Sequence, residues 1–128
     1  ALPEDRPIDG VNLLPFLTAN ANATPQPPRP LFWRDGPYRT VQDQGWKLIV
    51  AERPKKDWLF NLNDDPTEKV NLAPRQPEKL AQLKALLEAH HANMPPSLWP
   101  PFLEIPVMID KTLDQKPAPG DEYTYWIN

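Results

Sequence analysis

Carboxylate and amide side chains cluster in residues 61–68, which is the closest approach of this sequence to a calcium loop. An EF-hand loop needs alternating oxygen ligands, a central glycine and a late glutamate. This segment has no glycine, and Pro66 lies inside it. We therefore predict a turn in which the side chains of Asp64, Asp65 and Asn71 bond nearby backbone amides, rather than a metal site.

The histidines and the serine offer little for catalysis. His90 and His91 are the two histidines, and adjacent residues on a helix point about 100° apart, whereas two metal ligands on one face are four residues apart. We expect one to pack and the other to be solvated or to lie by the negative helix end. Ser97 has no Gly-x-Ser-x-Gly context, and cysteine is absent from the sequence. We assign no catalytic residue and no metal ligand to this chain.

A basic and aromatic segment is the remaining candidate. Between Arg29 and Lys56 basic residues outnumber acidic ones by seven to three. Within it, Trp33, Arg34, Tyr38 and Arg39 form a candidate substrate rim for an anionic sugar or aryl sulfate, because the planar guanidinium fork suits sulfate as it suits phosphate. Charge runs are usually solvated faces and edge lysines prevent aggregation, so a plain surface is the preferred interpretation.

Composition limits the class of protein. The 128 residues make one domain by length, and a net charge of −3 is too small to argue for a nucleic-acid partner, so none is expected. No apolar run approaches the roughly 20 residues that span a bilayer, so no membrane partner is expected. The 19 prolines restrict long regular elements to the segments without them, and the five tryptophans indicate an ordered domain.

Alternating patterns predict strands that would position the candidate rim. Leu31–Arg34 and Thr40–Gln42 are short candidates, and Gly45 suits the turn that follows because glycine accepts positive φ. Period-two alternation then begins at Trp46 and again at Trp58. We expect consecutive antiparallel strands with one aromatic face that needs cover.

A helix beginning at Pro77 is predicted to supply the cover. Apolar residues recur at spacings of three and four through Leu80, Leu83, Leu87 and Met94, which predicts a helix of about 17 residues. The expected fold is therefore α+β: a small antiparallel β-sheet of about four strands packed against one long C-terminal helix, with a proline-rich irregular tail.

The sequence divides into three parts. Residues 1–30 are predicted to be a linker or leader from a catalytic domain, and residues 31–94 the sheet-plus-helix subdomain. Residues 95–128 are a proline-rich aromatic tail that we expect to dock on the domain, with an edge strand as one interpretation of residues 105–109.

The order of several short motifs resembles a known family. The motifs are Ile8-Asp9-Gly10-Val11-Asn12-Leu13-Leu14-Pro15-Phe16-Leu17, Arg29-Pro30-Leu31-Phe32-Trp33-Arg34, Gly45-Trp46-Lys47-Leu48-Ile49, Leu59-Phe60-Asn61-Leu62, Asp65-Pro66-Thr67-Glu68 and Asn71-Leu72, followed by the helix from Pro77. Together they resemble the C-terminal subdomain of the formylglycine-dependent sulfatases, the arylsulfatase family of the alkaline-phosphatase-like superfamily. The resemblance implies a small antiparallel sheet packed on a C-terminal helix.

The resemblance also implies where the chemistry lies. Sulfatases convert a cysteine or serine within Cys/Ser-x-Pro-x-Arg to formylglycine, and Ser97 is followed by Leu98 and Trp99 instead. Calcium and formylglycine are therefore expected in a catalytic domain upstream, with no cofactor in this chain. The implied partner is that domain, with sulfated carbohydrate or aryl sulfate as the ligand, and export to the periplasm or medium is implied by the family.

Two functions follow as expectations. The first is the non-catalytic C-terminal part of a sulfatase, a sulfuric ester hydrolase, which braces the catalytic domain and forms part of the substrate cleft; this chain alone is expected to be inactive. The alternative is a stand-alone module that binds sulfated glycans or a protein partner without catalysis.

Overall fold

The first four strands form a meander, in which each strand pairs with the next one along the chain. The computed structural model describes residues 5, 10, 14–17, 29–96, 98–99, 101–109, 111–112 and 114–127. The elements are α1 (Leu14–Leu17), β1 (Leu31–Asp35), β2 (Tyr38–Asp43), β3 (Trp46–Ala51), β4 (Lys56–Asn61), α2 (Pro77–His91), β5 (Glu104–Met108) and β6 (Tyr123–Ile127). Strands β1-β2-β3-β4 form an antiparallel sheet in that order, and β5 pairs with β6 separately. The predicted α+β fold, with a four-stranded antiparallel sheet and a helix, is confirmed.

A two-residue turn joins β2 to β3. Gln44 and Gly45 both adopt positive φ, at 48° and 80°. Such turns match the right-handed twist of the flanking strands, which is why a glycine is favoured there. The predicted role of Gly45 is confirmed, and the turn fixes the β2–β3 register with Asp43 opposite Trp46.

The core lies between one face of the sheet and α2. Val41, Leu48 and Leu59 occupy one row across three strands and are fully buried. Leu83 and Leu87 of α2 pack on this row. The apolar stripe that predicted the helix is therefore the stripe that closes the core.

The aromatic residues of β4 lie on the face away from the helix. Leu59 is the cross-strand partner of Leu48, so its neighbour Trp58 pairs with Ile49 on the opposite face, and Phe60 points the same way as Trp58. The expectation that the helix would cover the aromatic face is therefore wrong for Trp58 and Phe60, whereas Phe32 and Trp46 pack against the core on the covered face. The helix covers the aliphatic row of Val41, Leu48 and Leu59 together with these two aromatic residues.

The helix begins at Pro77 and ends earlier than the stripe suggested. Proline occupies the first turn, where its missing N–H is no loss, and Glu78 follows it. The helix ends at His91, so Met94 lies beyond it. Met94 precedes Pro95, and a residue before proline is disfavoured in the α conformation.

The tail is not irregular throughout, because β5 and β6 form a second, two-stranded sheet. Pro106 lies within β5, where an edge position tolerates its lack of an N–H donor. Of the predicted linker, residues 1–30, most lies outside the described residues, as does Ser97.

Candidate functional site

The four predicted rim residues lie on two different faces of the sheet. Arg34 and Arg39 are direct cross-strand partners on the face that α2 covers. Trp33 and Tyr38 alternate with them and therefore lie on the opposite face. The structure brings the two arginines together, but it separates them from the two aromatic residues.

Both arginines already have acceptors within the protein. Arg34 donates from Nη1 to the Pro95 carbonyl at 3.2 Å. Arg39 pairs through Nη1 with Glu88 at 3.0 Å and through Nη2 with Glu52 at 3.6 Å. An anion that binds Arg39 would have to compete with two carboxylates.

Tyr38 ties the tail to the sheet. Its hydroxyl oxygen accepts hydrogen bonds from Thr124 Oγ1 and from the Tyr125 backbone amide, each at 2.6 Å. The same hydroxyl donates to the Arg53 carbonyl at 3.5 Å. Trp33, by contrast, has half of its surface exposed. Of the four rim residues, Tyr38 is thus an anchor for β6.

Glu122 forms a second anchor, which sequence reasoning missed. Its Oε1 accepts from Trp58 Nε1 at 2.7 Å and forms an ion pair with Lys56. The Lys56 ammonium also lies 5.2 Å from the centre of the Trp58 ring. The hydrogen bond from Lys56 lowers the pKa of Glu122 below its ordinary value, and the hydrogen bond from Trp58 makes a smaller contribution in the same direction. The only signal in the sequence was a carboxylate beside an aromatic tail.

The carboxylate-rich turn bonds its own backbone. Asp65 Oδ2 accepts from the Val70 amide at 2.8 Å, and this bond with one from Lys69 lowers the pKa of Asp65. Asn61 Nδ2 donates to Asp64 at 2.5 Å. The prediction that these side chains bond backbone amides is confirmed for Asp65, whereas Asp64 accepts from the Asn61 side chain instead. Among the described residues, no group of three or more His, Cys, Asp or Glu side chains is arranged to hold a metal ion.

Asn71 closes the outer edge of β4. Its Oδ1 accepts from the Leu59 amide and from the Ala73 amide, both at 3.0 Å, while its Nδ2 donates to the Asp57 carbonyl at 3.0 Å. The Leu72 amide then bonds the Leu59 carbonyl at 2.7 Å. This role for Asn71 is structural, as predicted.

The two histidines pack at the end of α2. His90 stacks on Phe32 with ring centres 3.9 Å apart. His91 is half-buried at the last position of α2, and its Nε2 is buried without a hydrogen-bond partner among the described residues. Burial lowers the pKa of His91, and the positive charges of Arg39, His90 and Arg34 lower it further.

Two clefts lie on opposite faces of the sheet. One, of about 630 Å³, is lined by charged side chains that pair with each other, including Arg39 with Glu88 and Lys84 with Asp57 at 2.6 Å. The other, of about 730 Å³, lies between the face that carries Trp58 and the tail. The second has the mixed apolar and polar lining that is typical of ligand sites.

Comparison with known proteins identifies no family for this sequence. The sequence matches no protein-family model, and a search of curated proteins returns no match. In the part of the chain that the structure describes, no helix has the length and apolarity needed to cross a membrane. The sulfatase resemblance therefore stays a prediction.

Proposed function

We propose that this chain is the non-catalytic C-terminal subdomain of a formylglycine-dependent sulfatase. It braces the catalytic domain and contributes one wall of the substrate cleft. The parent protein hydrolyses a sulfate ester or sulfamate. Calcium and formylglycine belong to the catalytic domain upstream, since this sequence has no cysteine and its Ser97 lacks the required motif.

The observation that supports this proposal is that the resembling motifs coincide with the determinants of the fold. Leu48 and Leu59, one in each hairpin motif, are fully buried in the core. Asp65 and Asn71 of the following motifs hold the connection to α2 through backbone hydrogen bonds. A sheet packed on a following helix is the arrangement that the resemblance implied.

The bracing role draws on the exposed apolar surface of the tail. Leu98, Trp99, Phe102 and Leu103 are exposed by 78%, 85%, 103% and 50%. Large apolar side chains grouped at a surface mark protein–protein contacts. In the proposed assembly this segment packs on the catalytic domain.

An activity assay on the purified chain tests the proposal. With an aryl sulfate such as p-nitrophenyl sulfate and added calcium, the isolated chain should give no turnover above buffer. The parent protein should be active, and a parent that lacks the segment corresponding to residues 31–128 should lose stability and activity together. Turnover by the isolated chain would contradict the assignment.

A further inference from the structure

The 730 Å³ cleft has an apolar floor built by the sheet. Thr40, Ile49 and Trp58 are cross-strand neighbours on β2, β3 and β4, and all three line it. Phe60, also in the lining, is 6% exposed. The tail forms the facing wall through Ile109 and Thr124. A ligand here meets apolar carbon on one side and hydroxyl groups at the margins.

The charges that line this cleft are balanced. Glu68 is paired with Lys47 at 2.8 Å, and Glu122 is paired with Lys56. These pairs leave the carboxylate of Asp35 and the ammonium of Lys69 as the charged groups of opposite sign in the lining. The cleft therefore offers a ligand a hydrogen-bond acceptor, Asp35, and a donor, Lys69, without an excess of either charge.

Among the described residues of the lining, a sulfate also meets no cluster of unpaired positive charge. A sulfate placed in the cleft would lie near Asp35 and near Glu68 and Glu122, whose lysine partners are already engaged. The arginines that suit sulfate, Arg34 and Arg39, lie on the other face of the sheet. An uncharged ligand does not need such a cluster.

We propose that the cleft between the sheet and the tail binds a neutral saccharide. A sugar ring presents an apolar C–H face to Ile49 and Trp58, and hydroxyl groups that bond the Asp35 carboxylate and the Lys69 ammonium. The volume suits one or two sugar rings, since ligand sites span about 300 to 1,000 Å³. This site does not depend on the proposed sulfatase role.

The test is a titration of the full chain monitored by NMR at the Trp58 indole N–H. The signal is assigned by its loss in Trp58→Phe. The neutral probes are cellohexaose, xylohexaose and mannohexaose, and the charged probe is sulfated cellohexaose. At least one neutral probe should shift the Trp58 signal, and the sulfated probe should bind more weakly than its parent sugar.

Two variants locate the site. Asp35→Ala removes one hydrogen-bonding group and should weaken binding about tenfold. Thr40→Phe fills the floor and should abolish binding. Asp43→Ala is the matched control. Asp43 is the last residue of β2 and lies on the face that α2 covers, away from the cleft, so this variant should bind as the wild type does.

Three results would overturn the proposal. They are no shift with any neutral probe, sulfated cellohexaose binding as tightly as cellohexaose, and unchanged binding in both Asp35→Ala and Thr40→Phe. Loss of sulfatase activity in a parent protein bears on the proposed function and leaves this result unaffected, because the titration needs no turnover.

Discussion

At the residue scale, Asn71 shows how one side chain can complete a sheet. Strand β4 is one of the two outer strands of the meander, and an outer edge carries unpaired backbone groups. The Asn71 amide bonds Leu59 N and Asp57 O, two of these groups. A sequence motif that resembles a family signature is thus explained by backbone hydrogen bonding.

Replacing Asn71 should destabilise the domain. Asn71→Ala removes three hydrogen bonds to part-buried backbone groups, so the free energy of unfolding should fall by about 2 kcal/mol in urea denaturation. Asn93→Ala is the control, because Asn93 is exposed and makes a single long bond to Ala89. Its effect should stay within about 0.5 kcal/mol. Equal effects from both variants would contradict the role of Asn71.

His91 should make stability depend on pH. Its pKa in the folded state is lowered from 6.5, so the folded chain binds fewer protons than the unfolded chain just below that pH. The stabilisation is fully present above pH 6.5 and is lost as the pH falls through the lowered pKa. Unfolding free energies measured between about pH 5 and about pH 8 should rise with pH.

Two histidine variants separate the sources of this slope. His91→Leu removes the titrating group and should flatten the profile. His90→Phe keeps a ring stacked on Phe32 and should retain most of the slope. A slope that survives in His91→Leu and disappears in His90→Phe would contradict the assignment.

At the element scale, the sequence predicts the strands and the helix, but it does not predict which face of each strand packs against the helix. Alternation identified β3 and β4, and the apolar stripe through Leu83 and Leu87 identified α2. The turn between β3 and β4 spans residues 52–55, and its length did not fix the register in advance. A one-residue shift in register exchanges the two faces, which is why Trp58 was predicted on the wrong one.

The cleft and its anchors were harder still to predict. Glu122 lies more than 60 residues from Lys56 and Trp58 along the chain, and no local pattern links them. Of the candidate rim, the alternation along β1 and β2 could have separated Arg34 and Arg39 from Trp33 and Tyr38. Partners such as Glu88 for Arg39 depend on how α2 lies on the sheet.

The hold of the tail on the sheet should depend on the Tyr38 hydroxyl. Tyr38→Phe removes the acceptor for Thr124 and Tyr125, so the Tyr125 amide should exchange hydrogen about tenfold faster or more. Tyr123→Phe keeps the ring that packs edge-on against Tyr125 and should leave the exchange unchanged. Equal protection in the Tyr38 variant and the wild type would show that β6 is held by other contacts.

At the scale of the whole molecule, the chain presents three different surfaces. The α2 side is charged and internally paired, the opposite side carries the cleft, and the tail exposes Leu98, Trp99 and Phe102. Under the proposed function, the exposed apolar side chains contact a catalytic domain. The proposed sulfatase role places the chemistry in that domain.

The most direct measurement is the coding sequence that precedes Ala1. Our account predicts that the same reading frame continues upstream and encodes a Cys/Ser-x-Pro-x-Arg motif, which would supply the formylglycine. A start codon immediately before Ala1 would contradict the sulfatase account and favour a stand-alone binding module.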